Sequence, residues 1–387
     1  MNLTTRVILL VLCLVAFFGM TGSALMGPVL PDMVDPLNST PEAVGWVMGV
    51  YTLSNALFML LLGTRIDNLA RKKVLITCLI INGLSGFAGF FAPNLPVLLV
   101  FRFIQGIGTA GMMPLVMTMI GELYKNIERI HAMGRVSLTT SIGEVTAPLI
   151  GGSLAIFGWN YPFLFYGLTI PLAIVSVFVL PETNVVLPKQ KTGIYEIVTA
   201  LKNFNVAYTM FLVSALFFFL FTIIIYVPFL LKDNFGFTAQ GAGIALGIQG
   251  ASMAVVASQT KRLSLIFSNQ TITIAGFVIV GIAITGMSYA YNLTSVFLLL
   301  LIFGAGFGIL IPFLNTLITQ VAPTRVMGGI ISIFNTMKFV GMTLASGILG
   351  FILLKSGLEY VFIVSGLIAF GVVIINSFVY RKFQNKT

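Results

Sequence analysis

The chain has 387 residues, of which 58% are hydrophobic and only 8% are Asp, Glu, Lys or Arg, and its mean hydropathy is +1.05. A water-soluble globule is about 45–50% apolar even with glycine counted, so this composition describes an integral membrane protein. The net charge of +10 does not argue for a nucleic-acid partner, because the basic residues are scattered among short segments between apolar stretches and form no patch or stripe.

A helix crossing a hydrocarbon core needs about 20 apolar residues. Windows of that size predict spans near 7–31, 44–65, 73–92, 97–121, 133–156, 160–180, 206–231, 239–260, 270–290, 294–320, 327–354 and 360–380. The first follows a single base, Arg6, and is too long for a signal-peptide core, so it is expected to be retained. It ends at Pro28 and Pro31, followed by the outer-mouth acids Asp32 and Asp35, which are expected to be solvated. Cys13 and Cys78 lie within apolar spans and have neither a disulfide framework nor a metal-ligand spacing.

Span two carries Asn55, an uncharged candidate for lining a cavity. Just beyond it runs Gly63-Thr64-Arg65-Ile66-Asp67-Asn68-Leu69-Ala70-Arg71-Lys72-Lys73. An acid followed by three bases at a helix end can form charge-assisted hydrogen bonds and cap a neighbouring helix, a latch that breaks when packed halves rock. The plainer alternative is a basic loop with one incidental acid.

Span four contains Arg102-Phe103-Ile104-Gln105-Gly106-Ile107-Gly108-Thr109-Ala110-Gly111. The G-x-G-x-x-G spacing follows no strand and sits inside an apolar helix, so it is not a dinucleotide fingerprint. These glycines serve close helix packing. Arg102 stays charged at any relevant pH and cannot carry a proton itself, but it can hold a carboxylate ionised or release it. Lying roughly five residues from the helix end, it can alternatively snorkel to the interface.

Span five reads Gly143-Glu144-Val145-Thr146-Ala147-Pro148-Leu149-Ile150-Gly151-Gly152. Pro148 removes a helix hydrogen bond, and Gly143, Gly151 and Gly152 let a helix of the other half approach. Glu144 lies about nine residues past Arg135, roughly 14 Å along the helix and near the midplane.

Residues 182–205 form the one long connection without a span, polar at first and amphipathic around Ile194 to Leu201. This stretch is expected to be a cytoplasmic linker lying on the membrane surface, dividing the chain into six-span units 1–181 and 206–387. Span seven is rich in phenylalanine (Phe217, Phe218, Phe219, Phe221) and carries Tyr226; with Met112, Met113 and Met117 of span four it suits an adaptable apolar cavity. Asn315 on span ten and Asn335 on span eleven are further polar candidates. Lys338, roughly 11 residues past Met327, lies about as deep as Glu144.

Seventeen of the 21 Lys and Arg residues fall on one side of this arrangement; Lys232 and Lys355 fall on the other, and Arg102 and Lys338 are buried. The positive-inside rule then puts both termini in the cytoplasm. The halves also repeat: Gly106, Gly108 and Pro114 recur 198 residues later as Gly304, Gly306 and Pro312, while Gly134 and Glu144 match Gly328 and Lys338 at an offset of 194. Duplicated six-helix halves are a transporter architecture.

A charge at the bilayer centre costs about 2.5–3.5 kcal/mol or more, so Arg102, Glu144 and Lys338 point to a transport pathway. Three readings of Glu144 and Lys338 compete: a fixed bridge between halves, a proton-linked switch, or two separate substrate contacts. Removing one member of a buried pair costs about 3–5 kcal/mol, so intolerance to mutation does not separate them.

With these motifs in place, the chain resembles the major facilitator superfamily over its whole length, and within it the twelve-span drug:proton antiporter branch. The segment from Gly63 to Lys73 resembles the family loop motif, with Arg65 and Ala70 replacing its usual leucine and second glycine. Span four matches l-x-x-x-R-x-x-q-G-x-g-a-a. Span five resembles the antiporter motif g-x-x-x-G-P-x-x-G-G with Ala147 in place of a glycine, and Trp159 and Pro181-Glu182-Thr183 also fit the pattern. The resemblance implies an all-α membrane fold of twelve transmembrane helices in two pseudo-symmetric six-helix bundles. It implies a cytoplasmic gate at Gly63, Asp67, Arg71 and Lys72, proton coupling through Arg102, and export in place of uptake. It also offers Asp32 as an entry point for protons or cations, and sets spans five and eleven on different seams.

The expectation is a proton-coupled secondary transporter of the cell membrane, acting as a monomer, that exports amphipathic or lipophilic small molecules by alternating access. The alternative is an exporter of a specific sugar, siderophore or anionic metabolite, with Lys338 as counter-charge. No Walker sequence supports ATP drive, and no cofactor or metal is expected; His131 stands alone. An enzyme would need acids, nucleophiles or metal ligands clustered at one depth, and a receptor would not explain the repeated halves.

Overall fold

Hydrocarbon offers no water to backbone N–H and C=O groups, so apolar segments of this length cross it as helices that satisfy those groups internally. The computed structural model describes residues 3–63, 70–183, 194–323 and 326–384. Among them are twelve helices long and apolar enough to cross a membrane: α1 (Thr5–Met33), α2 (Pro41–Leu62), α3 (Arg71–Gly89), α4 (Leu95–Leu123), α5 (Asn126–Phe157), α6 (Pro162–Val179), α7 (Phe204–Phe235), α8 (Ala239–Thr260), α9 (Asn269–Met287), α10 (Leu293–Val321), α11 (Met327–Ser356) and α12 (Leu358–Phe378).

The repeat seen in the sequence is a repeat of packing. A methyl on Gly106 would strike the Tyr51 carbonyl and the Ser54 hydroxyl, and one on Gly304 would strike the Gln249 carbonyl and Ser252 Cβ. Gly108 lies on Cys78 and Asn82, and Gly306 on Gly276 and Val280. Every partner is shifted by the same 198 residues, so α2, α3 and α4 are repeated as α8, α9 and α10. Even the caps correspond: the Asn94 side chain accepts from the Val97 N–H at the start of α4, and Asn292 from Ser295 at the start of α10. Two six-helix bundles result.

The bundles meet along two seams, α5 on α8 and α2 on α11. Gly152 faces the Ala239 carbonyl, Gly243 the Pro148 carbonyl, Gly247 Leu149 and Gly250 Val145. On the other seam Gly49 faces Ser346, Gly347 faces Trp46, and the Thr52 and Thr343 hydroxyls are 2.9 Å apart. Gly27 of α1 closes on Ile224 of α7. These contacts gather toward the end of the molecule away from the basic loops. Toward the basic end, the face of α8 that meets α5 becomes exposed at Ala254 and Ser258, as does α5 at Leu138 and Ser141. A methyl added at Gly134 or Gly328, equivalent residues of α5 and α11, would meet nothing within 4 Å from another helix among the described residues. The bundle is therefore closed at the opposite end and parted at the basic end.

The helix Ile194–Leu201 packs on α7 and α11, so the amphipathic segment is anchored to the second bundle through contacts that include the buried Ala200.

Candidate functional site

Glu144 sits on α5 one turn before Pro148, on the side of the helix that Pro148 presents to α8. Lys338 sits on α11 one turn before Gly341, which packs against the Ser214 carbonyl of α7. Both are half-buried, and each lies within the electrostatic reach of the other. No ion pair joins them among the described residues. Lys338 Nζ instead rests 5.2 Å from the centre of the Phe334 ring and 5.6 Å from that of Phe217, an aromatic frame suited to a cation. Their separation follows from the seams: α5 belongs to one and α11 to the other, and the space parted at the basic end lies between them.

Arg102 is 1% exposed, so it does not snorkel. Its Nε donates to the Val47 carbonyl at 3.0 Å, Nη1 to Gln105 Oε1 at 2.7 Å and Nη2 to the Gly22 carbonyl at 3.3 Å. The Tyr51 ring lies 4.2 Å from Cζ, and the Tyr166 hydroxyl donates to the same Gly22 carbonyl. One guanidinium thus ties α1, α2 and α4 together, with α6 joining through Tyr166. Its partners are carbonyls and an amide, and no carboxylate pairs with it among the described residues. The second bundle does not repeat this cluster. The positions 198 residues after Arg102, Gln105 and Thr109 are Leu300, Phe303 and Phe307, all buried. The second half therefore reaches the same helix packing with apolar side chains, while in the first half the guanidinium and its partners hold the crossing.

The glycine–proline motif of span five faces two ways, onto α1 and onto α8. Gly143 lies against Phe17 and Thr21 of α1, Gly151 against the Leu25 carbonyl, and Gly152 against α8, with Ala147 and Pro148 buried between. Of the proposed gate, Asp67 lies outside the described residues and Gly63 ends its helix. Arg71 is buried and its Nε meets Glu122 Oε1 at 2.9 Å, joining α3 to α4 within one bundle; Lys72 is half-buried beside it.

Other candidates scatter. Asn55 is 1% exposed between α2 and α4, and Tyr226 is 1% exposed near Gly350 at the closed end, so neither faces the parted space in this state. Asn315 is exposed on α10, while Asn335 and Met113 are half-buried. Asp35 is exposed as expected. Asp32 is not a free loop acid: its Oδ1 is 2.7 Å from Lys232 Nζ, which also donates to the Pro31 carbonyl at 3.0 Å. This pair links α1 to α7 across the closed end. Sequence reasoning missed Lys232, Glu122, Tyr51 and Tyr166. A signal existed for Lys232, one of two bases on a side that also carries acids.

A family model described as the Major Facilitator Superfamily matches residues 12–346. The chain belongs to the major facilitator superfamily. A Bacillus subtilis (strain 168) protein named bacillibactin exporter is 27% identical over 337 residues, covering 84% of this superfamily member and 84% of that protein. Multidrug resistance protein 2 of the same organism is 30% identical over 181 residues, 46% of this chain and 44% of its own. Among solved structures, a bacterial homologue of the human lysosomal transporter Spinster, inward-facing and occupied, superimposes with a TM-score of 0.82 at 16% identity, covering 100% of this chain and 98% of that one. A single-residue mutant of the nucleoside transporter NupG gives 0.81 at 14% identity, covering 96% and 99%. These likenesses establish the fold, and the chain is a transporter of that superfamily, not an enzyme.

The Asp32–Lys232 pair is about one-third exposed on each side, so it contributes roughly 0.2–1 kcal/mol to closure. Asp32→Asn is therefore expected to raise the population open at this end by up to about fivefold. Distance distributions between spin labels placed at Asp35 and Asn234 would show a growing long-distance component; an unchanged distribution would assign no closing role to the pair.

Proposed function

We propose that this transporter exports amphipathic or lipophilic small molecules from the cytoplasm in exchange for protons. The observation that carries the reading is the opposed but unjoined pair, Glu144 and Lys338, set on different bundles beside the space parted at the basic end. With that end in the cytoplasm, as the positive-inside rule requires, the parted form is the inward-open state of a cell-membrane carrier working as a monomer. A carboxyl in that space can take or release a proton as its surroundings change from wet to dry, and Lys338 biases which form is preferred. Rocking about the two glycine seams would carry the pair and any bound substrate to the other side. Arg102 would act as a positioning residue, holding α1, α2 and α4 as one rigid body, and Asp67, Arg71 and Lys72 would close the cytoplasmic end.

A specific observation favours a second reading. Lys338 has no carboxylate in contact among the described residues and sits beside two aromatic rings, an arrangement fit for an anionic aromatic substrate, and a relative matched over most of the chain is named for exporting bacillibactin. One experiment addresses both. Proteoliposomes are given an imposed pH gradient and a panel of lipophilic cations, neutral amphiphiles and catecholate anions, with and without a protonophore. Accumulation that collapses with the protonophore is expected, and the preferred class in the panel chooses between the readings. Transport indifferent to the protonophore would overturn proton coupling.

A further inference from the structure

Away from the transport site, α2, α3 and α4 enclose a lateral groove of about 260 Å³. Its walls are Phe58 and Leu62 of α2, Val74 and Ile81 of α3, and Ile107 of α4, while Lys73 stands exposed at its basic-end mouth. We propose that this groove holds an acyl chain of an anionic phospholipid from the leaflet at the basic end, with the Lys73 ammonium on the headgroup phosphate.

The arrangement reproduces the layering of a lipid. Lys73 is in the first turn of α3, where helix and headgroup region meet, and Ile81 lies eight residues further on, roughly 12 Å deeper along the axis. Between these levels the polar side chain of the wall is already satisfied from within its own helix. The Thr77 hydroxyl donates back to the Lys73 carbonyl at 3.0 Å, and Cys78 is buried. The positive end of the α3 dipole reinforces the lysine at the same depth. A base at this level attracts anionic lipid by about 1 kcal/mol.

The internal repeat supplies a control. Packing of α3 on α4 is copied by α9 on α10, yet the residue 198 positions after Lys73 is Thr271, whose hydroxyl lies 2.9 Å from that of Ser268. The charge is thus not part of the shared packing design. It is an addition to one half, placed where an apolar crevice opens beside it. Because α2 also forms the seam with α11, a lipid bridging α2 and α3 would brace a helix that both halves use.

The test uses the full chain in bilayer nanodiscs with Ile80→Trp, an exposed reporter one turn from Thr77, after subtracting the signal of Trp46 and Trp159 in the parent chain. Quenching by brominated-chain phosphatidylglycerol is compared with that by brominated-chain phosphatidylcholine. Half-maximal quenching is expected at about fivefold lower mole fraction for the anionic lipid, a ratio set by one surface lysine. Adding Lys73→Gln, at an exposed position whose loss leaves packing untouched, should make the two curves coincide. Coincident curves with Lys73 present, or a preference that survives Lys73→Gln, would overturn the proposal.

Discussion

Glu144→Gln is expected to abolish substrate accumulation driven by a pH gradient while leaving substrate exchange down its own concentration gradient. Glutamine keeps the size and hydrogen-bonding capacity of the side chain but cannot bind and release a proton. The sequence left a structural bridge open as an explanation, and that bridge would also be lost on substitution. A fully buried ion pair broken on one side costs about 3–5 kcal/mol. Here Glu144 is only half-buried and has no ion-pair contact with Lys338 among the described residues, so the cost of the substitution should be well under that. The variant is therefore expected to be recovered in normal yield, with a thermal midpoint close to the parent's and gradient-driven uptake reduced by about tenfold or more, which is about 1.4 kcal/mol or more of lost coupling. Retained gradient-driven uptake would remove Glu144 as the proton carrier. Loss of the folded protein would instead favour a bridge.

Arg102→Leu should have the opposite profile, a loss of stability before any question of transport. The substitution installs the residue found at the equivalent place in the second bundle, Leu300, but without the apolar neighbours that surround Leu300. It strands Gln105 Oε1, removes the bond that the Val47 carbonyl makes beyond its own helix, and leaves the Gly22 carbonyl to Tyr166 alone. Each buried polar group left without its partner costs about 1–3 kcal/mol, so a loss of about 2–5 kcal/mol is expected. Arg102→Lys should recover little of it, because an ammonium cannot span three acceptors in the geometry of the guanidinium fork. Thermal denaturation followed by size-exclusion of the detergent-solubilised variants measures both. A midpoint unchanged by Arg102→Leu would show that the cluster does not hold the first bundle together.

Much of the fold was legible because hydrocarbon thickness fixes span length and because close helix crossings demand glycine at repeated places. Boundaries were less legible. α5 begins at Asn126, not near 133, since a helix continues past the hydrocarbon with polar residues that no hydropathy window counts. Depth was readable for Arg102, Glu144 and Lys338, as the cost of burying charge makes each one conspicuous. Partners were not readable. Asp32 and Lys232 are 200 residues apart, and only the meeting of α1 and α7 joins them. Tyr226 looked like a cavity residue by composition, yet the direction it faces depends on which end of the molecule is closed.

That closed end is built around glycines, some lying on carbonyl oxygens, as at Gly152 with Ala239 and Gly243 with Pro148, and others on side chains, as at Gly347 with Trp46 and Gly247 with Leu149. Where a glycine faces a carbonyl, no side chains interlock, so parting that contact requires few rotamer changes. The groups needing water of their own as the end unzips are Thr52, Thr343, Asp32 and Lys232, and of these the acid and base alone respond to ionic strength. Added salt should therefore loosen the rim of the mouth while the glycine floor beneath it stays indifferent.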